Sequence, residues 1–166
     1  MPRFVSKVQV IDRGWKRIAR AVKAADKLTL KVGVFEGPKN PLDGKQVVEY
    51  ATALELGLPA LNIPEFGFMR HAFETNLGKL FAAMREGADR LHSGTGSVRA
   101  VLRKLGVAHR EHIVLSIADA DRYAPPLKKR TIQEKGHGTP LVDTGRLLNS
   151  IRHRIVPSST VRRGAS

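Results

Sequence analysis

Two histidines, His109 and His112, stand three residues apart in a stretch of helical periodicity, so one helix face would carry both. Imidazoles hold a metal only with a third and a fourth ligand beside them. The zinc-protease helix sets its histidines four apart with a glutamate directly after the first, and Arg110-Glu111 does not fit that pattern. The pair therefore reads as ordinary helix-surface or interface histidines. His137 lies between two glycines with no second reactive group near it in sequence. Gly37, Pro38, Pro41 and Gly44 punctuate EGPKNPLDG in a way that suits a phosphate loop. Such a loop ends in Gly-Lys-Ser/Thr before a helix, however, and Gly44-Lys45-Gln46 lacks the hydroxyl. No carboxylate pair is set for acid–base work, and no serine sits in a nucleophile elbow. The residues point to no catalytic, cofactor or metal site, and not to an enzyme.

Leu141-Val142-Asp143-Thr144-Gly145 is similar to the active-site loop of aspartic proteases. That chemistry needs two carboxylates sharing a proton, from two lobes or two subunits. It also needs a β domain after the motif, whereas a short Arg- and Ser-rich segment follows here and Arg146 stands where that family has a small residue. The ordinary reading is preferred: a loop with Asp143 or Thr144 as N-cap of a short helix at Leu147-Leu148. A hydrolase using Asp143 stays only as a third class.

The 166 residues suggest one domain, here 1–156, with a flexible basic tail at 157–166. No cysteine is present, which excludes disulfides and thiolate metal sites. MPRFVSKVQVID holds no apolar run long enough for a signal peptide, and no stretch approaches the ~20 apolar residues of a membrane span. A soluble chain made in a cytoplasm is expected, with no membrane and no small-molecule substrate. The net charge of +14 favours an anionic partner, either nucleic acid or an acidic protein surface. From Asp121 onward ten Lys and Arg face three Asp and Glu, so half of the excess sits there. Tyr123 is the only aromatic after Phe81, which argues against a base-stacking platform in that region.

Periodicity supplies the elements that would position these groups. Phe4–Ile11 is a candidate strand. From Asp12 a helix follows, with Trp15, Ile18, Ala19, Val22 and Ala25 on one stripe and Arg13, Lys16, Arg17, Arg20 and Lys23 elsewhere. LTLKVGVF, Leu28–Phe35, alternates as a half-buried strand. Lys45–Leu56 is a short helix with Gly57 as its C-cap. LPALNIPEFGF, Leu58–Phe68, is an apolar loop that either contacts a partner or folds back over the core. Met69 to about His92 is a long helix whose apolar face holds Ala72, Phe73, Leu77, Leu80, Phe81, Met84 and Ala88. Ser97 caps a second long helix, Val98–Asp121, and five small residues between the two require antiparallel packing. Ser150–Val156 alternates Ile151, His153 and Ile155 against Arg152 and Arg154 as a final strand. The expected fold is α+β: a small antiparallel sheet packed against two long antiparallel helices, with an extended basic Gly/Pro-rich arm at 122–142.

The order of short motifs carries a resemblance over about residues 28 to 156. These are Glu49-Tyr50-Ala51, Glu55-Leu56-Gly57, Ile63-Pro64-Glu65-Phe66-Gly67-Phe68-Met69-Arg70 and Leu105-Gly106. They are followed by Pro125-Pro126-Leu127, Thr131-Ile132, Lys135-Gly136 and Pro140 to Leu147 with Ser150-Ile151. In this order they resemble the virion-morphogenesis proteins of tailed double-stranded-DNA phages, of the neck, tail-completion or tail-terminator type. In two places the chain departs from that pattern: Pro-Glu-Phe-Gly-Phe replaces the usual Pro-x-Arg-Pro-Phe, and little follows the last strand. The resemblance implies a virion subunit that forms a homo-oligomeric ring, a hexamer or dodecamer, at the head–tail junction, without catalysis or cofactor. It further implies head-connector and tail-tube or sheath proteins as partners, with genomic DNA passing through the lumen. Residues assigned to subunit or partner contact are Lys128, Lys129, Arg130 and Lys135 of the arm, Asp143, Thr144 and Arg146 just after it, and Ile63, Phe66 and Phe68 of the apolar loop. Because a strongly basic lumen would hold passing DNA, the positive charge is expected to face acidic protein. The alternative is a basic nucleic-acid-binding protein.

Overall fold

The computed structural model describes residues 14–37, 44, 46–127, 132–133, 136, 141 and 145–159. Within them the order is α1 (Trp15–Asp26), β1 (Leu28–Val34), α2 (Val47–Leu56), α3 (Phe68–His92), α4 (Val98–Ala118), α5 (Arg146–Ser150) and β2 (Ile151–Pro157). Single 3₁₀ turns occupy Pro59–Leu61 and Ala120–Arg122. The fold is α+β, with a two-stranded antiparallel sheet and the two long helices packed on it. The candidate strand at Phe4–Ile11 and most of the basic arm lie outside the described residues.

The sheet joins elements more than a hundred residues apart. Leu30 pairs with Ile155, Val32 with His153 and Val34 with Ile151, all on the face toward α4. This is the period-two pattern that the sequence predicts for both strands. Helix α4 comes very close to that face at Gly106. A Cβ there would lie 2.7 Å from His153 Cδ2 and 3.0 Å from Leu30 Cδ1. The Leu105-Gly106 motif is thus a helix–sheet contact that tolerates no side chain.

Helices α3 and α4 run antiparallel, as five small residues between them require. Lys104 Nζ reaches Glu86 Oε2 at 2.9 Å near the turn, and His71 meets Ser116 at the other end. Ser97 caps α4 as expected, its Oγ accepting from the Ala100 amide at 3.3 Å. The core centres on Phe68, Ala72, Ile113, Ile117, Leu147 and Ile151, which are all buried.

Three sequence expectations need correction. The end of the apolar loop folds inward: Phe68 has no exposed surface and Phe66 keeps 8 %, whereas Leu58 and Leu61 nearer its start stay exposed. Ile63 is half-buried against the same core and bridges to Leu58. These side chains belong to the chain's own interior, because the free amides of α3 are met from within. Helix α3 starts at Gly67, which offers no side-chain cap, so Glu55 of α2 supplies one. Its carboxylate accepts from Met69 N at 2.8 Å and Arg70 N at 3.0 Å, at the positive end of the helix dipole. This holds the 66–68 end of the loop against the core. Second, the N-cap of α5 is Gly145 in a left-handed conformation without a side-chain cap. Asp143 and Thr144 lie outside the described residues. Third, α1 contributes no buried residue, and its Trp15 is 72 % exposed, so the stripe that reads as core-facing lies largely at the surface.

Candidate functional site

Of the sequence-assigned contact residues, Lys128, Lys129, Arg130, Lys135, Asp143 and Thr144 lie outside the described residues. Arg146 is exposed at the first position of α5. The structure does not bring Arg146 to Ile63, Phe66 or Phe68 as one surface; the last two are interior. The described surface instead presents three features, and one buried polar knot that must be judged for chemistry first.

The knot joins His71 of α3, Ser116 of α4 and Tyr123. His71 stacks on the Tyr123 ring at 3.7 Å, and its Nδ1 lies 3.1 Å from Ser116 Oγ. A serine beside a histidine invites a nucleophile reading. The proton inventory opposes it. Ser116 Oγ has one proton and donates it to the Phe68 carbonyl at 2.9 Å. Tyr123 donates its own to the Ser116 carbonyl at 2.8 Å. With the protons placed so, Oγ accepts from His71 Nδ1, and in that tautomer the ring nitrogen beside Oγ is not a base for its hydroxyl. Ser116 is also 5 % exposed. Burial raises the Tyr123 hydroxyl pKa above its ordinary value, against a smaller opposing effect of its bond to Ser116. The knot ties the ends of α3, α4 and the following turn together.

His109 and His112 do share one side of α4, with rings 6.3 Å apart, and His109 lies edge-on to Phe73 at 6.0 Å. Both Nδ1 atoms are buried without a hydrogen-bond partner among the described residues. No group of three metal-ligating side chains occurs among the described residues. Burial lowers the pKa of His109, with a further push from His112. Burial also lowers that of His112, aided by Lys79 and opposed by Glu111. Because the folded pKa values lie below the unfolded value of 6.5, the unfolded chain binds more protons as the solution is acidified. Stability is therefore full above about pH 6.5 and is lost as pH falls through the folded values. Urea midpoints at about pH 7.5 and 5.5 should show this loss, and His109→Leu should flatten it.

The first surface feature is an apolar stripe on α3. Phe73 is 48 %, Phe81 59 % and Met84 52 % exposed, while Leu77 between them is half-buried and Ala88 extends the line. At helical spacing these five fall on one side for about 22 Å. The sequence places them in the core face. The buried line is instead Phe68, Ala72, Leu80 and Gly87, turned about a quarter of the helix circumference away. The second feature is a groove of about 550 Å³ along β1, walled by α2 and Met69. Successive β1 residues from both faces, Leu30 to Phe35, line it, so it follows the strand edge that β2 leaves unpaired. The third is the outer sheet face with Lys31, Arg152 and Arg154, all exposed. Glu86 adds an ion cluster across α3 and α4. Its pKa is lowered chiefly by the hydrogen bond from Lys104, with Arg90 3.0 Å away on the same helix.

No protein-family model matches this chain, and neither a curated protein nor a solved structure matches it significantly.

Surface chemistry is thus the basis for a functional reading. No helix among the described residues is long and apolar enough to cross a membrane. Of the three features, the sequence carries a readable trace of two. The α3 stripe is visible as an apolar arc too wide for one neighbour. The cations of β1 and β2 are visible as the polar phase of two alternating strands. The groove has no local signature, because it exists only between elements distant in sequence.

Proposed function

We propose that this chain is a structural virion subunit that assembles into a homo-oligomeric ring at the head–tail junction of a tailed phage. It would stand as a neck, tail-completion or tail-terminator component, with head-connector and tail proteins on either side. The observation that supports this reading is the α3 stripe. Three large apolar side chains, each about half exposed or more, line one side of a 25-residue helix, and of the three only Phe73 meets a ring of α4, the edge of His109. A long exposed apolar patch is a surface awaiting a protein. The motif order from Glu49 to Ile151 supplies the kind of protein, and a ring copy presents the same stripe at every subunit boundary. The basic arm around Lys128 to Pro140 would reach a neighbouring subunit or the next ring.

Mass measurement of the purified chain by analytical ultracentrifugation should give a ring-sized species. Phe81→Asp with Met84→Asp should release monomers whose circular dichroism is unchanged, since both side chains are exposed. A wild-type chain that stays a monomer at all concentrations and is absent from purified particles would sink the reading.

A further inference from the structure

We propose that the outer face of the two-stranded sheet binds the phosphate backbone of duplex DNA through Lys31, Arg152 and Arg154. In the β1–β2 register Lys31 stands directly opposite Arg154, and Arg152 faces Gly33 one step on. Like charges directly opposite on a sheet destabilise it. Here both are exposed, and no carboxylate among the described residues pairs with either. Thr29 and Val156 complete the face at one end; at the other, Gly33 is buried under Met69 and Arg152 donates to the Asn149 and Ile151 carbonyls, so Lys31 and Arg154 are its open cations. Such an arrangement is relieved when an anion covers it.

The choice of anion follows from what the face lacks. A protein interface is built on a desolvated apolar centre with aromatic anchors. This face offers only the half-buried Val156, and the nearby Phe35 ring is covered by Arg154, whose guanidinium carbon lies 4.4 Å from the ring centroid. That stacking fixes Arg154 in place for a bidentate contact, which a phosphate accepts. Arg152 and Arg154 are two residues apart on one strand, about 6.7 Å at the rise of an extended chain. Lys31 adds a point charge beside them. With no free aromatic for stacking, the contact is to the backbone and independent of base sequence. The large apolar side chains lie on other elements, so protein contact and DNA contact use separate faces. The proposal does not depend on ring assembly, because the isolated chain tests it.

Anisotropy of a labelled duplex of about 20 base pairs, titrated with the full chain between about 50 and 200 mM salt, reads the number of phosphates engaged. Lys31→Ala with Arg154→Ala should weaken binding about tenfold at the low-salt end and reduce the slope of log affinity against log salt by about two. Lys31→Glu places an opposite charge across from Arg154. It should raise the melting temperature while weakening DNA binding by about as much as the double variant, which separates loss of contact from loss of fold. Two duplexes of different sequence should bind alike. A wild-type chain that leaves the duplex free, an unchanged slope in the double variant, or binding of labelled polyglutamate without binding of DNA would each overturn the proposal.

Discussion

Phe68→Ala should lower the unfolding free energy by about 3–5 kcal/mol. Phe68 opens α3 with no exposed surface and packs in the cluster that holds Ala72, Ile113 and Ile117. Truncation removes the ring's transfer free energy and leaves a cavity that two long helices, fixed to each other elsewhere, cannot close. Packing of α3 on α4 along their length and the Ser116 knot at one end hold them at their set distance. Against a total stability of about 5–15 kcal/mol for a domain, the variant should sit near its unfolding transition at physiological temperature. Urea denaturation followed by circular dichroism measures the change. A loss under about 1 kcal/mol would mean that Phe68 is not core, and would return the Leu58–Phe68 loop to the partner-contact reading.

The second large effect is expected at Gly57, where Ala should cost at least about 2 kcal/mol. Gly57 ends α2 with φ 74 and ψ 157, a region that side-chain-bearing residues avoid. A Cβ there would meet backbone, 2.9 Å from Glu65 N and 3.2 Å from Glu65 Cα. A flexible side chain could move aside; the backbone at Glu65 is held by the adjacent bond from Phe66 N to Leu54 O at 2.9 Å. Strain and overlap therefore add. The turn also sets Glu55 where it caps α3, so the same substitution should fray the first turn of that helix. Gly78 is the contrast: it lies within α3 with open space around its Cβ position, and Ala there should stabilise by about 0.5–1 kcal/mol. Equal effects at the two positions would refute the backbone argument.

These two sites explain several of the short motifs in physical terms. In Glu55-Leu56-Gly57 the glutamate caps a helix 14 residues on and the glycine makes the turn that lets it. In Ile63 to Arg70 the apolar side chains fill the core beneath that turn. In Leu105-Gly106 the glycine admits the sheet. None of the three supplies a reacting group. Motif order across the chain thus reports how α2, α3, α4 and the sheet are joined, while the α3 stripe and the sheet cations Lys31 and Arg154 stay exposed.

Wherever a signal was local, the sequence by itself was sufficient. The residue types of LTLKVGV alternate, and that period marks a strand in seven residues, although Gly33 on the polar phase is itself buried under Met69. The two long helices, the Ser97 cap and the α2 stop at Gly57 follow from spacing and from hydrogen bonds made within a turn. Tertiary structure alone decided the rest. Helix α3 carries an apolar arc wider than one neighbouring helix can cover, so Phe73, Phe81 and Met84 look like core in sequence. Only the placement of α4 shows that Leu80 goes inside while they stay out. The same holds for α1, whose stripe has helical periodicity although only Ile18 and Ala19 of it are half-buried while Trp15 and Val22 stay exposed. Lys31 and Arg154 are separated by more than a hundred residues, and their opposition depends on strand register, which a shift of one residue would undo. The physical reason is common to all three. Local periodicity records which residues share a face, while the energy that buries or exposes that face comes from contacts between elements far apart along the chain.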